Sequence, residues 1–297
     1  MDENMSAYLS DHPAALRFCR SYMKGIYFPM FDHHIAVSDH TAEELIAASR
    51  GHKVRRGIWV SPMGVDTQRF TPERKSAAGR DALLHAAGIH TDATILLYAG
   101  RLAPEKNLPL LLETMRHLSP SEYRLVIAGN GILLDWLREQ CTQSGLSHIT
   151  FTGHLNDRAL LADYYANADI FIHPNPREPF GIAPLEAMAA GVAVVAPNRG
   201  GVTSYANQRN AWLAEPNALD FAAAVRAIKR NPWDRARRTA RARRTAEDHD
   251  WPLITARYLR LYREIHELTR GAVAETAIRA RTWSTPGDFL GRELFEL

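Results

Sequence analysis

Asp169–Ala196 reads DIFIHPNPREPFGIAPLEAMAAGVAVVA, and this stretch decides the fold class. It begins with a short apolar run, Asp169–His173, and ends with another, Val192–Ala196. Both runs are apolar on both faces, which is typical of parallel strands covered on both sides. Between them, Ile182–Ala190 has the pattern of a helix. The order strand, helix, strand predicts a βαβ unit.

The same alternation extends outward from this unit, from Thr94 to Glu215. It predicts four more strands, at Thr94–Ala99, Arg124–Ala128, Ile149–Thr152 and Ala211–Ala214. It also predicts further helices, at Leu108–Leu118, Ile132–Ser144, Asp157–Ala168, Val202–Ala206 and Leu219–Lys229. Alternating strands and helices of these lengths predict an α/β domain with a doubly wound parallel sheet.

The first 66 residues show only part of such a domain. They predict helices near Ala14–Tyr27 and at Ala42–Ala48, and strands at His34–Val37 and Gly57–Ser61. Because two strands do not make a stable α/β domain alone, we interpret residues 1–66 as the end of an incomplete first domain. Residues 67–250 are predicted to form the doubly wound domain. Residues 251–297 are predicted to form a return helix, amphipathic over roughly Pro252–Leu268, followed by a tail.

Composition excludes several classes of protein. Of the 297 residues, 46% are hydrophobic and 23% charged, which excludes wholesale disorder. A net charge of +3 gives no reason to expect nucleic acid. Two cysteines, Cys19 and Cys141, exclude a disulfide scaffold. No apolar run approaches the ~18 residues of a membrane span, and no secretory signal is recognised. A cytoplasmic protein is therefore expected.

Glycines and isolated charges follow the predicted strands, where ligands bind in open parallel sheets. Gly100 and Arg101 follow the first strand, and Lys106 comes five residues after Arg101. Other such positions are Gly129-Asn130-Gly131 after the second strand, His154-Leu155 near the third and Arg199-Gly200-Gly201 after the fifth. Glycine allows close backbone approach, and the cations add positive charge. Together they predict a diphosphate site.

The most informative segment is Arg177–Glu186, REPFGIAPLE. Two carboxylates, Glu178 and Glu186, flank a helix start whose free N–H groups belong to Gly181, Ile182 and Ala183. Carboxylates suit diols, because each oxygen accepts hydrogen bonds from neighbouring hydroxyls. Helix N-termini suit phosphate. One short segment therefore has groups for both ends of a nucleotide sugar.

These motifs resemble those of retaining glycosyltransferases of family 4, which have the GT-B fold of two Rossmann-like domains. Glu178-x7-Glu186, with Phe180-Gly181 inside it, is similar to the family signature. Gly100–Asn107 (GRLAPEKN) resembles the family's diphosphate loop. The family's crossing into the donor domain is similar to Met63-Gly64-Val65-Asp66 with Phe70. The last strand and helix of the family's first domain are similar to Ala36-Val37-Ser38 with Thr41–Leu45. The resemblance runs from about His33 to about Leu268.

The resemblance implies a hexosyltransferase that uses a UDP- or GDP-sugar and needs neither metal nor cofactor. It implies catalytic roles for Glu178, Arg101 and Lys106, with the two cations holding the donor diphosphate. Glu186 would hold the ribose, and His154-Leu155 would line the base pocket. The donor site would also include Gly100, Asn130, Phe180, Gly181, Ile182 and Ala183. The acceptor is open: a lipid, glycan or small molecule, with a role in cell-envelope polysaccharide or glycolipid synthesis.

One departure from the family concerns the first domain. Its Gly-rich loop and acceptor pocket are not found in the sequence, and about 100–150 residues are missing by ordinary domain size. The chain is therefore expected to be truncated and inactive alone. The alternative is a non-catalytic nucleotide-sugar-binding remnant or subunit that needs its N-terminal half in trans. A dinucleotide dehydrogenase is a poor third candidate, because no G-x-G-x-x-G motif opens a helix after a first strand.

Several other features have plainer interpretations. Gly129–Gly131 fits a turn as well as a donor contact, and Gly200-Gly201 is more typical of a tight turn. His33, His34 and His173 lack metal-ligand spacing and are predicted as core or strand-end residues. Asp248-His249-Asp250 is predicted as a loop. A basic run comprises Arg235, Arg237, Arg238, Arg241, Arg243 and Arg244. We interpret it as a solvated helix face, in preference to the alternative that it contacts anionic lipid at a membrane.

Overall fold

The computed structural model describes residues 12–49, 57–89 and 93–271. The chain divides into two compact units: Met1–Gly64 together with Asp248–Leu297, and Val65–Glu247. The structure thus groups the predicted returning helix with the first unit, whereas the sequence interpretation treated it as a separate segment. The predicted tail beyond residue 271 lies outside the described residues.

The first unit has a small parallel sheet. Its described elements are α1 (Pro13–Tyr22), β1 (His34–Ala36), α2 (Asp39–Ser49), β2 (Ile58–Val60) and α10 (Trp251–Gly271). β1 pairs in parallel with β2. The helix predicted to reach Tyr27 changes to a π-helical turn at Met23, followed by a 3-10 turn. Gly25 and Pro29 lie in this stretch, and both weaken an α-helix.

The second unit contains a six-stranded parallel sheet, so the predicted α/β class is confirmed. Its strands are β3 (Thr94–Ala99), β4 (Tyr123–Ala128), β5 (Ile149–Gly153), β6 (Ile170–Ile172), β7 (Ala193–Pro197) and β8 (Trp212–Ala214). Their order is β5-β4-β3-β6-β7-β8. The order reverses between β3 and β6, and in such sheets ligands bind in the crevice at that point.

The central strands form the core because both of their faces are covered. Leu96, Ile127, Phe171 and Val194 are fully buried. The long apolar stretches recognised in the sequence are therefore strands that bury both faces. All the strand pairs are parallel. The carboxyl ends of the strands consequently meet at one edge, where the predicted site residues follow them.

The helices agree with the predicted alternation except in two places. The described helices are α3 (Ala77–Ala86), α4 (Pro109–Arg116), α5 (Leu134–Gln143), α6 (Arg158–Asn167), α7 (Ile182–Ala189), α8 (Ala218–Arg230) and α9 (Pro232–Glu247). The helix predicted at Val202–Ala206 is a 3-10 turn, Gly201–Ser204. α3 was not predicted, because only Leu83 of its side chains is buried and its apolar stripe is weak.

The basic run forms α9, and the prediction of a solvated helix face is wrong for three of its arginines. Arg243 donates to the carbonyl oxygens of Thr67, Phe70 and Ala189 at 3.2, 2.9 and 2.6 Å. Arg238 donates to the carbonyl oxygen of Ala211, and Arg235 donates to the carboxylate of Asp169. A guanidinium has five donors and can satisfy several buried carbonyls at once, which explains these inward contacts.

Candidate active site at the carboxyl edge of the sheet

Two loops at the carboxyl edge touch backbone to backbone. A Cβ atom on Gly129, which follows β4, would lie 1.9 Å from the carbonyl oxygen of Gly100, which follows β3. Gly131 has a φ of 155°, and its Cβ would lie 2.3 Å from the carbonyl oxygen of Leu102. Close packing of the loops therefore explains these glycines. Asn130 is exposed, and its side-chain oxygen accepts from the N–H of Gly131 at 2.8 Å.

Arg101 has a fixed backbone and a solvent-facing guanidinium. The buried hydroxyl of Tyr98 donates to the carbonyl oxygen of Arg101 at 3.0 Å. The guanidinium donates to Glu105 at 2.8 Å, and the Arg101 side chain is 67% exposed while that of Glu105 is 4% exposed. The buried Glu105 thus fixes one side of the guanidinium in the loop after β3. This contact was not foreseen in the sequence.

Lys106 and Glu178 meet at the point where the strand order reverses. Lys106 lies in the loop after β3 and Glu178 in the loop after β6, and Lys106 Nζ donates to Glu178 Oε2 at 2.8 Å. Both side chains are largely buried. The next residue, Asn107, adopts a left-handed conformation with a φ of 52°, and its amide donates to the carbonyl oxygen of Pro174 at 3.1 Å. The two loops are therefore tied together beside the ion pair.

Two further residues converge on the same oxygen of Glu178. The Asn175 amide donates to Oε2 at 3.0 Å, and His173 Nε2 lies 3.8 Å from it. Burial acts to raise the pKa of Glu178, but His173, Lys106 and Asn175 outweigh it, so the pKa lies below its usual value. The sequence interpretation missed Asn175 and gave His173 no role. His173 directly follows β6 and Asn175 lies two residues further along the same loop, and position after a strand is the signal that identified Gly100 and Arg101.

His173 is buried at a strand end, as predicted, and it is neutral at pH 7. Burial lowers its pKa from 6.5 to about 4. Between these two pH values the unfolded chain binds a proton that the folded chain does not, so stability should rise with pH. We expect wild type to lose about 3 kcal/mol more than His173→Gln on going from pH 6.5 to 4. Urea unfolding across this range tests it; parallel curves for the two proteins would contradict it.

The loop carrying Glu178 is supported from below by the segment after β7. The N–H of Gly201 donates to the carbonyl oxygen of Glu178 at 2.7 Å. A Cβ on Gly201 would lie 1.9 Å from the carbonyl oxygen of Pro179. Gly200 has a φ of 80° and packs against the carbonyl of Pro176. The two glycines thus form a supporting turn.

Glu186 has its own set of partners on α6. It is 6% exposed, and it accepts from Arg158 Nη2 on Oε1 and from the Tyr165 hydroxyl on Oε2, both at 3.1 Å. Burial raises its pKa, with Arg158 and Tyr165 acting in the opposite direction. Arg158 and Tyr165 were not foreseen as partners.

The remaining predicted residues lie at the start of α7 and in the loop after β5. Gly181 caps α7 with a φ of 93°, and the Tyr205 hydroxyl donates to its carbonyl oxygen. Phe180 is buried, whereas Ile182 is exposed and Ala183 half-buried. In the loop between β5 and α6, His154 is exposed and Leu155 is half-buried. The roles of these residues in binding the donor stay predictions.

Within the described part of the chain, no group of three or more His, Cys, Asp or Glu side chains is arranged to hold a metal ion. The residues Asp248-His249-Asp250 lie between α9 and α10, outside both helices. The described helices also include none that is long and apolar enough to cross a membrane.

The doubly wound sheet, with its charged pair at the switch point, defines an α/β protein, and the fold matches glycosyltransferase structures of the GT-B class. The chain belongs to the family described as glycosyl transferases group 1, whose profile matches residues 80–245. In structure it is similar to Anabaena HepE, solved with UDP and glucose. The TM-score is 0.72 and the identity 20%, over 82% of this chain and 66% of that one.

Two curated relatives are similar in sequence. One is described as the GDP-mannose-dependent alpha-(1-6)-phosphatidylinositol dimannoside mannosyltransferase of Mycobacterium tuberculosis, 34% identical over 200 residues, 67% of this chain and 50% of the relative. The other is described as the D-inositol 3-phosphate glycosyltransferase of Xylanimonas cellulosilytica, 33% identical over 215 residues, 69% of this chain and 51% of the relative. The chain spans about half the length of each.

Proposed function

We propose that this chain is the donor-binding half of a retaining, metal-independent glycosyltransferase of family 4. It binds a UDP- or GDP-hexose and transfers the sugar to an acceptor. The observation that carries the proposal is the pair Lys106–Glu178 at the topological switch point, where open α/β sheets bind ligands. Family membership and likeness to a structure holding UDP and glucose support it.

In the proposed reaction, Lys106 and Arg101 bind the diphosphate. Charge develops on the leaving phosphate as the bond to the sugar breaks, and fixed cations stabilise that charge. Lys106 already lies at the crevice, bound to Glu178, and the guanidinium of Arg101 faces solvent. The free N–H groups at the start of α7 add positive potential.

Glu178 is proposed to face the transferred sugar. Its Oε2 is occupied by Lys106 and Asn175. The described residues donate no hydrogen bond to its Oε1. A carboxylate oxygen can accept hydrogen bonds from sugar hydroxyls. Oε2 therefore orients the carboxylate of Glu178, and Oε1 is proposed to accept from a hydroxyl of the sugar.

Substitution of the two glutamates is expected to affect different steps, nucleotide binding for Glu186 and sugar transfer for Glu178. Glu186→Gln should weaken binding of the free nucleoside diphosphate, because its proposed contact is the ribose. Glu178→Gln should leave that affinity nearly unchanged and lower the transfer of sugar. Calorimetry with UDP and GDP, alongside release of nucleotide from the corresponding sugars, measures both. Equal loss of nucleotide affinity in the two variants would contradict this division of roles.

The competing proposal is a subunit that needs an N-terminal half in trans. In the first unit, a cavity of about 780 Å³ lies beside α1 and β1, and Phe18 and Met30 are 71% and 70% exposed. Exposed apolar surface of this kind favours association. Transfer by the 297-residue chain alone would exclude this alternative. Activity that is recovered only with an added N-terminal half would favour it.

The acceptor is proposed to be a glycolipid or polyol. The descriptions of the two relatives name phosphatidylinositol dimannoside and D-inositol 3-phosphate. The exposed face of α9 supports a lipid-bound acceptor, since it joins Trp233, 88% exposed, with the exposed Arg237, Arg241 and Arg244. Arginine and an exposed aromatic ring suit an anionic membrane surface.

We expect the chain to bind vesicles that contain anionic phospholipid and not neutral ones. Each arginine near the surface contributes about 1 kcal/mol. The double charge reversal Arg241→Glu with Arg244→Glu should therefore lower binding more than tenfold. Co-sedimentation with vesicles measures it, and Arg138→Glu, on the exposed face of α5, is the control. Equal binding to both kinds of vesicle would refute the contact.

A further inference from the structure

Glu186 is a buried carboxylate with one cationic partner. It is 6% exposed, and a charged carboxylate at such a site is costly unless it is paired. The Tyr165 hydroxyl is a neutral donor, so among the described residues Arg158 is the group that supplies compensating charge. The ionised state of Glu186 therefore depends on Arg158.

Arg158 is well placed to hold this charge. It is the first residue of α6, and Asp157 caps the helix by accepting from the N–H of Ala159 at 2.8 Å. Its guanidinium lies over the buried ring of Phe70, 5.4 Å from the centroid. The Arg158 side chain is 54% exposed, so it lies between the buried carboxylate and solvent.

Other groups near Glu186 do not replace Arg158. Tyr165 stays protonated, because burial and the Glu186 charge raise its pKa. α9 also packs on α7, but there Arg243 binds the carbonyl oxygen of Ala189. The strands β6 and β7, which also pack on α7, have no titratable side chain; they comprise Ile170–Ile172 and Ala193–Pro197.

The protonation state of Glu186 matters for its proposed ligand. An ionised carboxylate accepts from two neighbouring hydroxyls, whereas a protonated one keeps a hydrogen and loses part of that capacity. Burial already raises the pKa of Glu186. Loss of Arg158 would leave burial less opposed, and the carboxylate would take up a proton at a higher pH.

We propose that Arg158 is a positioning residue of the nucleotide site: it holds Glu186 ionised and oriented for the ribose hydroxyls. The role rests on the proposed function, in which Glu186 binds the ribose. The proposal goes beyond that function because it assigns to Arg158 the role of setting the pH range in which the nucleotide binds.

The test is the pH dependence of nucleotide affinity in the 297-residue chain. UDP and GDP are titrated by calorimetry from pH 5 to 8 with wild type, Arg158→Ala, Arg158→Lys and Glu186→Gln. We expect the nucleotide affinity of Arg158→Ala to fall several-fold further than that of wild type on going from pH 8 to 5, because more of the Glu186 carboxyl is protonated at pH 5 in the variant. Arg158→Lys should restore most of the wild-type profile.

A matched control is Arg138→Ala. Arg138 lies 5.9 Å from the ring centroid of Phe151, and its side chain is 55% exposed, yet it contacts no residue of the site. The Arg138→Ala variant should bind nucleotide as wild type does at every pH. If Arg158→Ala fails to fold, Arg158→Gln carries the same test with a neutral amide.

Two results overturn the proposal. One is an Arg158→Ala profile parallel to wild type, at equal or uniformly lower affinity. The other is a failure of Arg158→Lys to restore the profile while the variant remains folded. Failure of the proposed function gives a different result: Glu186→Gln would bind both nucleotides as tightly as wild type at pH 8.

Discussion

Replacing Lys106 by alanine is expected to lower release of nucleotide from the donor sugar by about 10- to 150-fold. A charge-assisted hydrogen bond contributes ~1.5–3 kcal/mol, and this converts to that range. Nucleotide affinity should fall less, because charge on the leaving phosphate grows as the bond breaks. Initial rates of UDP or GDP release by a complete, active version of the protein, with calorimetry of the free nucleotide in parallel, measure the two effects.

Lys75 offers a matched control for Lys106. Lys106 is the last residue of the 3-10 turn Pro104–Lys106, whereas Lys75 directly follows the 3-10 turn Pro72–Arg74 and is exposed to solvent. Lys75→Ala should release nucleotide as wild type does. An unchanged rate for Lys106→Ala would refute the assignment of Lys106 to the diphosphate, and a strict requirement for added Mg²⁺ would count against metal-independent chemistry.

Gly129→Ala is expected to destabilise the second unit by about 3 kcal/mol. The new Cβ would lie 1.9 Å from the carbonyl oxygen of Gly100, and backbone atoms cannot move aside as a flexible side chain does. In a domain of this size the loss corresponds to a melting temperature lower by roughly 6–12 °C. Nucleotide affinity should also fall, because the loop of Gly100 and Arg101 is displaced.

The control for Gly129 is Gly145→Ala. Gly145 has a φ of 64°, but no atom lies within 4 Å of its Cβ position. Its substitution should cost about 1 kcal/mol from the backbone conformation alone. Thermal unfolding of both variants separates the clash from the strain. Equal shifts in the two variants would show that the contact between the loops does not constrain Gly129.

Much of the second unit follows from its sequence. The strand Thr94–Ala99 has the predicted bounds, and each of the other strands of this unit differs from its prediction by one residue at one or both ends. This agreement has a physical cause: strands buried on both faces must be apolar throughout, so they stand out between amphipathic helices. α3 shows the limit, since its one buried side chain, Leu83, leaves little pattern.

The candidate site could be predicted in part. Position after a strand identified Arg101, Lys106 and Glu178, because parallel strands end at one edge. The same criterion applies to His173 and Asn175, whose roles were missed. A partner on a helix, such as Arg158, carries no comparable signal, since a charged residue at a helix start is ordinary.

The sequence by itself determined the alternation of strands and helices, the edge of the sheet where the candidate site lies and the residue types present there. Only the tertiary structure decided which groups touch. Lys106 meets Glu178 across 72 residues, and Arg158 meets Glu186 across 28. Hydrophobic periodicity is a local property of the chain, whereas ion pairing and burial of a charge depend on which loops the folded sheet brings together. The ionisation of these carboxylates is therefore a property of the fold.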